Sequence, residues 1–165
     1  DVLLVSEAAD GTSSRLERQT SFKAEIASRP GLTGAVLELD AELENRLQAF
    51  LAKPGPKALF CANGIAALAC TRALKSLGCN LFDEVGLIAL DDLDWYPLVG
   101  NGITALAQPT EAMGASAFDC LLKRLRGDDA PTRTLDLLPE LIIRGSTQSP
   151  VEAGLPAIAA AQPTQ

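Results

Sequence analysis

The chain has 165 residues, 47% hydrophobic and 21% charged, the balance of one α/β domain with a core of its own. Its net charge of −7 argues against a surface that grips a phosphate backbone, because that affinity rests on lysine and arginine. Histidine is absent, which removes the commonest general base, the commonest metal ligand and every Ser-His or Cys-His pairing.

In chain order, Val2 to Val5 has the length and branching of a buried strand, and Ser6 to Gly11 is the loop that leaves it. Ser14-Arg15-Leu16-Glu17 fits a capping box at the start of a helix that runs to about Ala27 and stops at Pro30-Gly31. Ala35 to Leu39 is a second strand. Leu43, Leu47, Phe50 and Leu51 recur at helical spacing until Pro54-Gly55-Pro56. Lys57 to Cys61 is a third strand, followed by Asn63-Gly64 and a helix striped by Ala67, Cys70, Leu74 and Leu77. Val85 to Leu90 is dense enough to be a strand buried on both faces, and it ends in the carboxylates Asp91 and Asp92. Gly100-Asn101-Gly102 turns the chain into a fifth strand, Ile103 to Ala107. Thr110 to about Arg126 is a helix with Phe118, Leu121, Leu122 and Leu125 on one face. Leu137 to Ile143 is a last strand, an edge or a bulge because Pro139 lies inside it. From Gln148 onward the composition reads as a disordered tail. Strands alternating with helices predict right-handed βαβ units and a mostly parallel sheet.

The cysteines at 61, 70, 79 and 120 have no CxxC spacing and sit in or beside apolar runs, so they read as free buried thiols. Reduced thiols point to the cytoplasm. No apolar run approaches the ~20 residues of a membrane span, and no signal peptide is visible. The chain starts inside a strand-like run without an initiator methionine and reads as a fragment.

Polar residues at carboxyl ends of strands are where open α/β sheets bind ligands. Asn63 is one, although by itself an Asn before Gly64 reads first as a turn or helix-cap residue. Asp91 and Asp92 suit an acid/base pair or a hydroxyl acceptor, with one of the two a cap or loop anchor; with no histidine and no third carboxylate at ligand spacing, a metal is not expected. Arg18 reaches either the same crevice or solvent. Trp95, beside Tyr96, is a stacking surface for a sugar face or a packing contact. The GxGxxG, GxxxxGK[ST] and GxSxG signatures do not occur.

In combination, Arg18 with Phe22, ALFCANGIAALA (58–69), GLIALDD (86–92), GITALAQPTEAMG (102–114) and PELIIRGST (139–147) resemble the effector-binding domain of the lactose-repressor (LacI/GalR) family. The resemblance spans nearly all of residues 2–147 and implies a periplasmic-binding-protein-like (type I) fold, of which this chain holds mainly the C-terminal lobe. It implies that Arg18, Asn63 and Asp91 contact a sugar or related effector, and that Gln108 touches it where the chain crosses between lobes. Gly64 stands where the family commonly has Asp, and Ala89-Leu90 where it has Gly-aromatic. WYPLVGNGIT followed by QPT is most similar to regulators of the gluconate and ketogluconate kind, whose acid group would need Arg18. The resemblance further implies a homodimer, no cofactor and no catalysis. Operator DNA would be held only through a helix-turn-helix upstream of Asp1, and helix 110–126 would pack on the first lobe. The competing readings are a transport-type sugar-binding protein, which a helix-turn-helix in the parent gene would exclude, and a small α/β enzyme, which lacks a nucleophile with a base.

Overall fold

The computed structural model describes residues 1–79 and 83–148, so the tail expected from Gln148 lies, but for its first residue, outside them. Six strands form one sheet: β1 (Val2–Ser6), β2 (Gly34–Glu38), β3 (Ala58–Cys61), β4 (Gly86–Leu90), β5 (Thr104–Ala107) and β6 (Glu140–Ile142), in the order β2-β1-β3-β4-β5-β6. The first five are parallel and β6 returns antiparallel along β5. Pro139 immediately precedes β6, so the residue that has no N–H stands just outside the ladder of an edge strand.

The helices are α1 (Ser13–Ala27), α2 (Leu43–Leu51), α3 (Gly64–Ser76) and α4 (Thr110–Leu125). The core forms on one face of the sheet, where Leu43, Leu47 and Phe50 of α2 and Ala66, Ala67, Cys70 and Leu74 of α3 meet Val5, Leu59, Cys61, Leu87 and Ala89. Burial of each large side chain there stabilises the fold by roughly 1.5–3 kcal/mol.

Two expectations need correction. β4 is buried on one face only: Leu87 and Ala89 are fully enclosed, whereas Gly86, Ile88 and Leu90 are half-buried. The chain that could cover the second face, α4, buries none of its own residues. The capping box is also not formed. The helix starts earlier, with Thr12 at the N-cap and no side-chain cap bond, because Asp10 (φ 34°) and Gly11 (φ 76°) turn the chain through the left-handed region ahead of Ser14. Arg15 secures this entrance instead, donating through Nη1 to Ala8 O at 3.1 Å and through Nη2 to Glu7 Oε2 at 2.9 Å.

The segment after β6 is locked into the sheet. Ser146, fully buried, donates through Oγ to Leu87 O at 2.5 Å and accepts from Thr104 N at 2.7 Å. Gly145 permits this approach, since a Cβ there would lie 2.2 Å from Asn101 Cβ and 2.8 Å from Asn101 O. Cys61 and Cys70 belong to the core, where the hydrogen bond between them, followed by burial, raises the Cys61 thiol pKa; Cys79 and Cys120 are half-buried. Among the described residues no helix is long and apolar enough to cross a membrane.

Candidate functional site

The strand order reverses between β1 and β3, since β2 lies on one side of β1 and β3 to β6 on the other. Open α/β sheets bind ligands outside the carboxyl ends of their strands at such a switch point. The register lines up the residues there. Val5 pairs with Cys61 and Cys61 with Ala89, so Glu7, Asn63 and Asp91, each two residues further on, sit at one level on adjacent strands.

Asn63 caps α3: its Oδ1 accepts from Ala66 N at 2.9 Å, as Asn does at an N-cap, and its Nδ2 donates to Glu7 Oε2 at 2.7 Å. The cap is therefore intact beside Gly64. The glycine has a spatial reason, because a Cβ on it would lie 2.3 Å from Leu93 Cδ1, so a larger residue displaces that leucine. Arg18 arrives from α1 and donates through Nη1 to Ala62 O at 3.2 Å, next to Asn63. It also lines an open groove with Ser14, Phe22 and Phe60.

Asp91 has φ 67°, left-handed for a non-glycine residue, and its N–H donates to Leu106 O at 2.9 Å. Aspartate tolerates that conformation better than most residues, yet such a backbone persists only where its surroundings hold it. One hold is Gln108, whose Nε2 donates to Asp91 Oδ1. The other is the next residue. Asp92 forms a two-pronged pair with Arg144, at 2.7 and 2.9 Å, and Arg144 donates also to Ile103 O at 2.8 Å.

The structure thus groups Arg18 with Asn63, and Asp91 with Gln108, along one sheet edge. Trp95 is set apart from both pairs: it is half-buried against the core and packs edge-on to Tyr96, with ring centroids 4.6 Å apart and planes at 88°. Of the two readings of Trp95, packing is the one with a visible contact. Tyr96 is fully buried; burial, followed by Cys61, Asp91 and Asp92, raises its hydroxyl pKa well above the usual value, and it donates to Leu90 O. Sequence reading passed over Glu7 as part of a loop. Its signal is positional only, as the residue directly after β1 at the switch point.

Hydrogen bonding to Arg144 holds the Asp92 carboxyl below the usual carboxylate range, against a smaller opposing effect of burial. A depressed folded-state pKa contributes stability above the unfolded value, near 4, and that stability is lost as pH falls through the folded value. Asp92→Asn should therefore melt below wild type at neutral pH, with the gap narrowing as pH is taken down to about 3. A gap constant across that range in thermal melts would count against the pair.

A six-stranded, mostly parallel sheet with a polar row at its switch-point edge is the architecture of one lobe of a periplasmic-binding-protein-like domain. The model of that domain family, described as periplasmic binding protein-like, matches residues 2–147, and the chain belongs to it. Its relatives are regulators of the LacI type. The HTH-type transcriptional regulator PtxS of Pseudomonas aeruginosa is 59% identical over 149 residues, which cover 89% of this chain and 44% of PtxS. The crystal structure of a LacI family transcriptional regulator from Bifidobacterium animalis subsp. lactis aligns at a TM-score of 0.74 with 25% identity, covering 88% of this chain and 54% of that one. A periplasmic binding protein/LacI transcriptional regulator from Alkaliphilus metalliredigens, complexed with D-xylulofuranose, aligns at 0.71 with 21% identity over 89% of this chain and 56% of that one. The chain therefore spans less than half the length of the PtxS it matches.

Proposed function

We propose that this chain is the effector-sensing part of a LacI-type transcriptional repressor, and that it takes a sugar or sugar acid at the edge formed by Glu7, Asn63, Asp91 and Gln108. The observation that carries this reading is the level row of Glu7, Asn63 and Asp91 at the carboxyl ends of β1, β3 and β4, joined from β5 by Gln108, one residue beyond that level and bonded to Asp91. Carboxylates accept hydroxyl hydrogens, amides both donate and accept, and a guanidinium pairs with a carboxylate through a fork. Arg18 reaches Ala62 O beside Asn63, whereas Arg15 is paired with Glu7, so an acid effector of the gluconate or ketogluconate kind places its carboxylate at Arg18. The regulator, located in the cytoplasm, acts as a homodimer that reaches operator DNA through a helix-turn-helix outside this chain. In its support, the matched relative is an HTH-type regulator and this chain is acidic.

Calorimetric titration of the full regulator against aldoses, aldonates, ketoaldonates and polyols tests the reading. A sugar or sugar acid that binds and shifts operator affinity is the expected result. Binding of no member, or operator affinity unmoved by every ligand that binds, would overturn it.

A further inference from the structure

The least expected feature of the site is how Glu7 is held. Both protein donors that reach it, Arg15 Nη2 at 2.9 Å and Asn63 Nδ2 at 2.7 Å, converge on the same oxygen, Oε2. Arg15 is itself anchored to Ala8 O, and Asn63 is anchored to the start of α3. The carboxylate is thus clamped from two elements by one oxygen. Its other oxygen, Oε1, has no hydrogen bond among the described residues, and the side chain keeps 28% of its surface exposed. An acceptor fixed in place before binding loses little entropy when a ligand meets it. The same bonds restrict Asn63, whose oxygen is committed to the helix cap and which retains one free N–H.

We infer that Glu7 is a ligand-contacting and specificity-determining residue of the effector site, Oε1 accepting a hydroxyl hydrogen from the polyhydroxylated part of the effector. This rests on the function proposed above. Glu7 and Asp91 flank Asn63 on the neighbouring strands, so the middle of the edge is lined by carboxylates and turns an acid group of the ligand away, towards Arg18. Arg15 offsets part of the Glu7 charge without occupying Oε1. The effector is therefore oriented, hydroxyl carbons over Glu7 and Asn63, acid end at Arg18.

The experiment is titration calorimetry of the full regulator with gluconate, with glucitol as the neutral polyol of equal chain length, and with the aldoses and ketoaldonates of the wider panel. Glu7→Gln is expected to weaken the tightest wild-type ligand about tenfold or more, the scale of a lost hydrogen bond to a charged acceptor. Where both gluconate and glucitol bind, the variant should lose less affinity for the acid, since a repelling charge has gone. If Glu7→Gln melts well below wild type, Glu7→Asp replaces it: the charge stays, the oxygen withdraws, and the same loss is expected. Affinity within about twofold of wild type in the folded variant overturns the inference while leaving the site reading in place. A wild type that binds no member of the panel overturns both.

Discussion

Asp91→Asn in the full regulator is expected to abolish the response to effector at wild-type concentrations while leaving fold and operator affinity nearly unchanged. Asparagine is the informative replacement because residue 91 has φ 67°. It tolerates the left-handed region, whereas alanine adds a backbone penalty of roughly 1–2 kcal/mol that has nothing to do with the ligand. The substitution removes the charge that receives Gln108 Nε2 and, in the proposed site, a ligand hydroxyl. Hydrogen bonds to charged groups contribute roughly 1.5–3 kcal/mol each, so the lost ligand contact lowers affinity about 10- to 150-fold. Arg18→Ala gives the matching result beside Asn63. It removes the guanidinium that reaches Ala62 O, and it should weaken acid ligands more than neutral ones. Effector titrations of operator release check both. Wild-type response in the two variants would mean that these residues do not hold the effector.

Which parts of this site were legible in the sequence follows from the range of the interactions involved. Alternating apolar runs and helical stripes specify the βαβ order, and strand ends mark Asn63 and Asp91, because each depends on residues a few positions away. Glu7 was invisible for the opposite reason: its partner Asn63 is 56 residues distant, and only the pairing of β1 with β3 makes them neighbours. Arg144 and Asp92, separated by 52 residues, meet only because the chain returns past β5. The α1 entrance was misread at short range. Ser14 and Glu17 have the spacing of a capping box, but the left-handed turn at Asp10-Gly11 starts the helix ahead of them. A local pattern lost there to a backbone turn that its own residues do not encode.

The second large effect is expected at α4. The stripe that the family resemblance places on the first lobe faces water here: Phe118 is 66% exposed, Leu121 58% and Leu125 76%, and the helix buries no residue. The helix has therefore not folded back on the sheet that precedes it. Covering a large apolar side chain stabilises by roughly 1.5–3 kcal/mol, so three of them favour association by several kcal/mol before the entropy of association is subtracted. We propose that the first lobe of the full regulator covers this face, and that in the 165-residue chain alone a second copy does. The chain alone should then sediment as a concentration-dependent dimer, by symmetric pairing or by exchange of α4. Phe118→Ser with Leu125→Ser should weaken that dimer by about a hundredfold or more, while the melting temperature of the monomer stays close to wild type, because neither side chain touches the core. A wild-type chain that is monomeric at high micromolar concentration and binds no hydrophobic dye would show that α4 has closed onto its own sheet in solution. In that event Ile88 and Leu90, half-buried on the uncovered face, are where it would rest, and Ile88→Ser would then lower the melting temperature as a core substitution does.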